Sequence, residues 1–268
     1  MQNVDSSAQA LALSPLAGGH NFRDLGGRIT RRGHRVMEGR LYRSGVMAGL
    51  NAHGIAELSR LNIRSIFDLR SASERVSHPT PWEALGVANY DHSHDDRLSG
   101  DLFALLKDSA TSPQTIRTLM LQLYQALPFD HVESYRAIML CIADAQLPLV
   151  FHCSAGKDRT GVLAALIMTL LEVAETDVMD DYLLTNEVAN HRASVLFNRT
   201  REQDAAQVIE ALLVPLLRAD PDYLCAMFAA IEDRTGGTHR YFADILGLDE
   251  RQIASIRSAM IAPESMER

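Results

Sequence analysis

Apolar positions along the chain fall into two patterns. Leu41 to Ser44, Ser65 to Leu69, Val87 to Tyr90 and Leu147 to His152 are short apolar runs of strand length, and helical-length segments lie between most of them. That alternation predicts an α/β sandwich. Helix starts are marked by Asn51, ahead of a segment reaching Leu61, and by the capping box Ser71-Ala72-Ser73-Glu74. Ser112 followed by Pro113 opens another. Asp130 with Glu133 opens a third, whose Val132, Tyr135, Ile138, Met139 and Ile142 recur at three-to-four spacing. Cys141 falls between those positions and reads as structural.

From Arg159 onward the pattern is almost wholly helical: Val162 to Val173, Val178 to Ala193, Ala205 to Leu217, Pro221 to Ile231, Tyr241 to Leu246 and Arg251 to Ile261, the last capped by Asp249. The first is apolar on every face, which predicts a central buried helix. Near the start, Gly18-Gly19 and Gly26-Gly27 bracket a short extended piece. No repeat or low-complexity linker divides the chain, so residues 1–18 read as a flexible leader and 19–262 as one domain. Residues 101–127 have no place in a minimal sheet and predict either a lid over a cleft or a fixed packing layer.

Composition narrows the classes. At 268 residues with 26 Lys and Arg against 34 Asp and Glu, the net charge of −8 argues against indiscriminate nucleic-acid binding. Between Arg28 and Arg43 the balance reverses: Arg28, Arg31, Arg32, Arg35, Arg40 and Arg43 face one acid, Glu38, around a hairpin tip at Gly33. This is either a solvated hairpin or a rim that draws in an anionic substrate. The longest apolar stretch, Val162 to Leu171, is well short of the ~20 residues that span a bilayer, and no basic residue precedes Arg23. The expectation is a cytoplasmic protein, or one exported without a cleavable signal. Cys141, Cys153 and Cys225 form no C-x-x-C pair, which fits a reducing compartment. His92 and His94, within Asp91-His92-Ser93-His94-Asp95-Asp96, come nearest to a metal-ligand spacing but read better as a polar loop.

The chemistry concentrates in residues 147–161, where an apolar strand ending at His152 leads through Cys153-Ser154-Ala155-Gly156-Lys157-Asp158-Arg159-Thr160-Gly161 into the buried helix. A loop wrapping into a helix start aims successive N–H groups at one point, where an oxyanion can be held. Gly156 permits the sharp turn, and Arg159 offers a planar fork matched to two phosphate oxygens. The same positive surroundings favour a Cys153 thiolate. In-line attack of its sulfur on phosphorus, followed by hydrolysis of a cysteinyl-phosphate, needs no metal and no cofactor. Thr160 is placed to help the sulfur leave, and His152 to fix the loop by hydrogen bonding.

These residues resemble the signature of the cysteine-dependent protein tyrosine phosphatase superfamily, His-Cys-x5-Arg followed by Ser or Thr. Lys157-Asp158 narrows the likeness to the branch resembling mycobacterial protein tyrosine phosphatase B, some of whose members act on phosphoinositides. Asn21-Phe22-Arg23-Asp24-Leu25-Gly26-Gly27, Leu41-Tyr42-Arg43-Ser44, Asp68-Leu69-Arg70-Ser71 and Asp181-Tyr182-Leu183-Leu184-Thr185-Asn186 extend it over roughly residues 15–262. The resemblance implies a three-layer α/β fold with a mainly parallel central sheet, helices on both sides and further C-terminal helices. It also implies a phosphorylated protein or phosphoinositide as substrate and inorganic phosphate as product.

The general acid is left open. The single Trp lies in Pro81-Trp82-Glu83, unlike the Trp-Pro-Asp loop that supplies the acid in common tyrosine phosphatases. Asp158 and Asp68 are the candidates, with Asp91, Asp95 and Asp96 in reserve; the alternative for Asp68 is a salt bridge to Arg43 or Arg70. Lys157 either adds a second charge for polyphosphorylated headgroups or turns to solvent. The competing functions are a phosphate-binding pseudophosphatase, against which Cys153 and Arg159 argue, and an arsenate-reductase-like enzyme, for which Cys141 and Cys225 offer no convincing resolving thiol.

Overall fold

The computed structural model describes residues 19–92, 112–187 and 214–263. Its centre is a five-stranded sheet of β1 (Arg23–Asp24), β2 (Leu41–Ser44), β3 (Ser65–Asp68), β4 (Asn89–His92) and β5 (Leu149–His152), in the order β1-β2-β5-β3-β4. β1 is antiparallel to β2, and every other pairing is parallel. The mainly parallel α/β architecture expected from the sequence is therefore present, and β5, the last of the described strands, occupies the middle of the sheet.

Alternation along the strands divides the core in two. Leu41, Phe67, Leu149 and Phe151 face the larger cluster; Tyr42, Ile66 and Val150 face the smaller one with Phe22, Met47, Leu58 and Val87. Helix α1 (Ala52–Arg60) covers the small face through Leu58, with Asn51 accepting from the N–H groups of His53 and Gly54. The large face carries α3 (Pro113–Asp130), α4 (Val132–Ala143), α5 (Asp158–Leu170), α6 (Glu175–Leu183), α7 (Pro221–Thr235) and α8 (Glu250–Met260). In α5 every residue from Thr160 to Met168 is buried, as its all-round apolar pattern requires. The short α2 (Ala72–Ser77), closed by the Ser71–Glu74 capping box, buries none of its own residues.

Several expectations change. β4 begins two residues later than Val87: as an edge strand it tolerates polar residues, while Val87 packs beneath it in the small core. Asp130 caps nothing, because α3 runs through it and His131 alone separates α3 from α4. Of the 101–127 segment, residues 113–127 belong to α3, which packs Ile116, Met120, Tyr124 and Leu127 into the large core. Residues 101–111, the 1–18 leader and most of the expected Ala205–Leu217 helix lie outside the described residues. Tyr241–Ile245 forms a π-helical turn, and α8 is capped by Asp249.

Candidate functional site

The parallel strands finish on one row, with Ser44, His152, Asp68 and His92 in register across β2, β5, β3 and β4. Cys153 is the first residue beyond it and Asp158 the first of α5, so the intervening loop lies at the carboxyl edge of the central strand, where open α/β sheets take ligands.

The carbonyls of this loop are held from behind. Val46 N–H donates to Ser154 O at 3.0 Å, Asn21 Nδ2 donates to Ala155 O and Gly156 O at 3.2 and 2.9 Å, and Arg43 donates to Gly156 O at 2.7 Å. Across a trans peptide the C=O and the following N–H point in opposite directions. The N–H groups of Ala155, Gly156 and Lys157 are thereby turned to the opposite side, where the α5 N-terminus adds its positive end. Gly156 sits at φ +68°, and a Cβ there would lie 2.7 Å from the Ser44 and Gly45 backbone.

Beneath the loop, Asp181 accepts from Arg23 at 2.9 Å, from Arg28 at 2.7 Å and from Arg43, all of them buried. Burial alone would raise the Asp181 pKa, but Arg23, Arg43 and Arg28 outweigh it and hold the carboxyl well below the ordinary range. Burial, with repulsion from Arg23, brings Arg43 down to about 10, still charged at neutral pH. Three guanidiniums against one carboxylate leave this support positive, on the side an anion needs. Asn21 also donates to Thr185, so three segments widely separated in sequence meet here to brace one loop.

Arg159 faces a partner that sequence reasoning had placed only in a helix cap. Its Nη1 and Nη2 donate to Glu74 Oε2 and Oε1 at 2.8 and 3.0 Å, Nη1 also reaches Leu69 O at 3.1 Å, and its carbonyl accepts from the Tyr135 hydroxyl at 2.9 Å. Glu74 further accepts from Ser154 Oγ and from Ser71 N–H. Burial would raise its pKa; Arg159, Ser154 and Ser71 outweigh that and lower it to about 2. The Ser-x-x-Glu spacing was the available signal, but not the approach of α2 to the loop.

The other expected residues divide clearly. Cys153 is buried at the loop's start, and Thr160 Oγ1 is buried without a hydrogen-bond partner among the described residues. His152 supports the loop: Nδ1 lies 3.4 Å from Cys153 O and Nε2 3.3 Å from Thr80 Oγ1, while burial lowers its pKa below the ordinary value. Asp68 is held in an ion pair. It is fully buried, paired with both Arg70 Nε and Nη2 at 2.8 and 2.6 Å, and accepts from the Tyr90 hydroxyl at 2.9 Å. Burial would raise its pKa, but His152, Arg70 and Tyr90 override it and keep the carboxyl ionised. The salt-bridge alternative, with Arg70, is what the structure contains.

Lys157 does not turn to solvent. Its side chain is 1% exposed, and Nζ donates to the carbonyls of Leu216 and Arg218. The hairpin arginines are also occupied: Arg28 and Arg43 by Asp181, Arg31 by Glu175, Arg32 by Glu172, Arg35 by Gly27 O and Arg40 by Ala259 O. Asp158 remains beside the loop with its side chain 23% exposed, and its Oδ1 accepts from Tyr124 OH at 2.8 Å. Asp91 is exposed on β4; His94, Asp95 and Asp96 lie outside the described residues.

A family model described as the tyrosine phosphatase family matches residues 14–262. A protein of Cupriavidus necator named as a tyrosine-protein phosphatase is 33% identical over 238 residues, covering 87% of this chain and 84% of that protein. The triple specificity protein phosphatase PtpB of Mycobacterium tuberculosis is 27% identical over 287 residues, covering 94% of this chain and 100% of that one. A tyrosine-protein phosphatase of Nostoc commune is 25% identical over 219 residues, covering 75% and 67%.

Proposed function

The chain belongs to the tyrosine phosphatase family, and we propose that it hydrolyses phosphotyrosine through a phosphate carried on the Cys153 sulfur, with Asp158 moving the proton. The observation that carries this reading is the loop from Cys153 to Arg159: its carbonyls are tied to Val46, Asn21 and Arg43 on one side, leaving N–H groups and a Glu74-held guanidinium for an anion. In the first step the Cys153 thiolate forms the S–P bond as the P–O ester bond breaks, and the departing phenoxide takes a proton from Asp158. In the second, water attacks phosphorus and gives its proton to Asp158, the S–P bond breaks and inorganic phosphate leaves. Arg159 and the loop amides stabilise the equatorial oxygens throughout. Thr160 Oγ1, with no other partner among the described residues, supports the sulfur as it leaves.

Asp158 is preferred to Asp68 on geometry. Tyr124 and Lys157 both meet its Oδ1, which leaves Oδ2 as the oxygen for the transferable proton. The test is phosphate release from phosphotyrosine, phosphoserine and phosphothreonine peptides and from mono- and polyphosphorylated phosphoinositides, in chelator. Cys153→Ser should abolish release while retaining binding, and Arg159→Ala should weaken both. Release by Cys153→Ser would overturn the covalent route; binding without turnover by the wild-type chain would make it a phosphate-recognising pseudophosphatase.

A further inference from the structure

We propose that Lys157 is a positioning residue, which ties the phosphate loop to residues 215–219 and sets the Asp158 carboxylate, and that it makes no contact with substrate. This rests on the reading of Asp158 as the proton carrier. An ammonium has three N–H donors. Here Nζ donates to the carbonyls of Leu216 and Arg218, the latter at 3.2 Å, and forms an ion pair with Asp158 Oδ1 at 3.2 Å. The side chain is buried, with Nζ 5.9 Å from the centre of the Tyr223 ring. A cation buried in this way is turned to these protein oxygens rather than outward to a second phosphate on the substrate.

The segment it grips is held independently. Tyr223 OH donates to Pro215 O at 2.9 Å, Asn186 exchanges two hydrogen bonds with the Ala219 backbone at 2.9 and 2.8 Å, and Arg117 of α3 pairs with Asp220 and Asp222 just beyond. Asp158 is fixed from its other side by Tyr124, whose hydroxyl lies 2.7 Å from that of Tyr182 and whose ring packs 5.4 Å from that of Tyr223. Displacement of 215–219 is therefore transmitted through Lys157 to the carboxylate that moves the proton.

Lys157→Met keeps most of the aliphatic stem and removes the charge. The measurement is kcat/KM over a series of aryl phosphates of graded leaving-group pKa, with a phosphotyrosine peptide and a polyphosphorylated phosphoinositide alongside. The expected loss is about tenfold on poor leaving groups, smaller on activated ones, with the phosphoinositide-to-peptide ratio unchanged. Lys157→Arg should recover part of it, and Lys157→Met with Asp158→Asn should lose no more than Asp158→Asn alone. A loss confined to the phosphoinositide, or additive losses in the double variant, would overturn the proposal. If Asp158→Asn itself shows no leaving-group dependence, it is the proton-carrier reading that fails. Hydrogen exchange at the 216–219 amides then judges the tie by itself: faster exchange in Lys157→Met supports it, and unchanged exchange overturns it.

Discussion

Replacing Glu74 with Gln retains the side chain's length and an acceptor for the Ser71 N–H but removes the charge facing Arg159. The native oxygens stand 2.8 and 3.0 Å from the two guanidinium nitrogens, and this pairing, with Ser154 and Ser71, overcomes burial to move the Glu74 pKa from 4.5 to about 2. At about 1.4 kcal/mol per pKa unit, that displacement sets a ceiling of about 3 kcal/mol. The Glu74 and Arg159 side chains are 24% and 12% exposed, and solvent screening reduces the worth of the contact to about 1–2 kcal/mol. Lost from the alignment of Arg159 in the transition state, this predicts a fall in kcat/KM of about five- to thirtyfold on a phosphotyrosine peptide at neutral pH. Because the folded pKa is depressed, the stability Glu74 contributes is complete above about pH 4.5 and disappears as pH falls toward about 2. Melting curves of wild type and Glu74→Gln should accordingly converge over that interval. A kcat/KM within about twofold of wild type would refute the reasoning. So would tighter phosphate binding, which would make Glu74 a competitor for Arg159 rather than its support.

Three further outcomes follow from the same geometry. Asp181→Asn leaves Arg23, Arg28 and Arg43 facing one another in a dry interior and should cost about 3–5 kcal/mol in urea denaturation; a loss below about 1 kcal/mol would contradict the brace described here. Gly156→Ala puts a Cβ 2.7 Å from the Ser44 and Gly45 backbone at a left-handed φ, so activity should fall by about a hundredfold or more, with a lowered Tm. Retained activity would mean that the loop is not seated against β2. Asp68→Asn should lower Tm and reduce activity equally on good and poor leaving groups, because it unpairs Arg70 without touching proton transfer; a loss concentrated on poor leaving groups would restore Asp68 as the acid.

The strands and the loop were legible because they depend on local pattern. Leu41–Ser44 is the strand its apolar run describes, Asn51 and Ser71 cap the helices they precede, and the buried α5 follows from a sequence apolar on every face. Charged residues were harder to read, since their roles depend on what the fold brings to them. Asp68 and Arg70 are two positions apart and lock together on turning out of β3, whereas Lys157 finds its acceptors about sixty residues away. The hairpin's positive run read as either solvated arginines or an anion-attracting rim, yet Arg28 and Arg43 converge on Asp181 from beneath the loop. Glu74 was visible as one half of a capping box; its second role requires the N-terminus of α2 to lie against Arg159, which no local spacing encodes.

The most direct measurement is rapid acid quench of the enzyme during turnover of a phosphotyrosine peptide, followed by mapping of phosphate to a residue by mass spectrometry. The mechanism predicts a phosphate on Cys153 that forms with the burst of released peptide, persists longer in Asp158→Asn and is absent from Cys153→Ser. Turnover with no phosphate on Cys153 at any time, or with phosphate on another side chain, would contradict it.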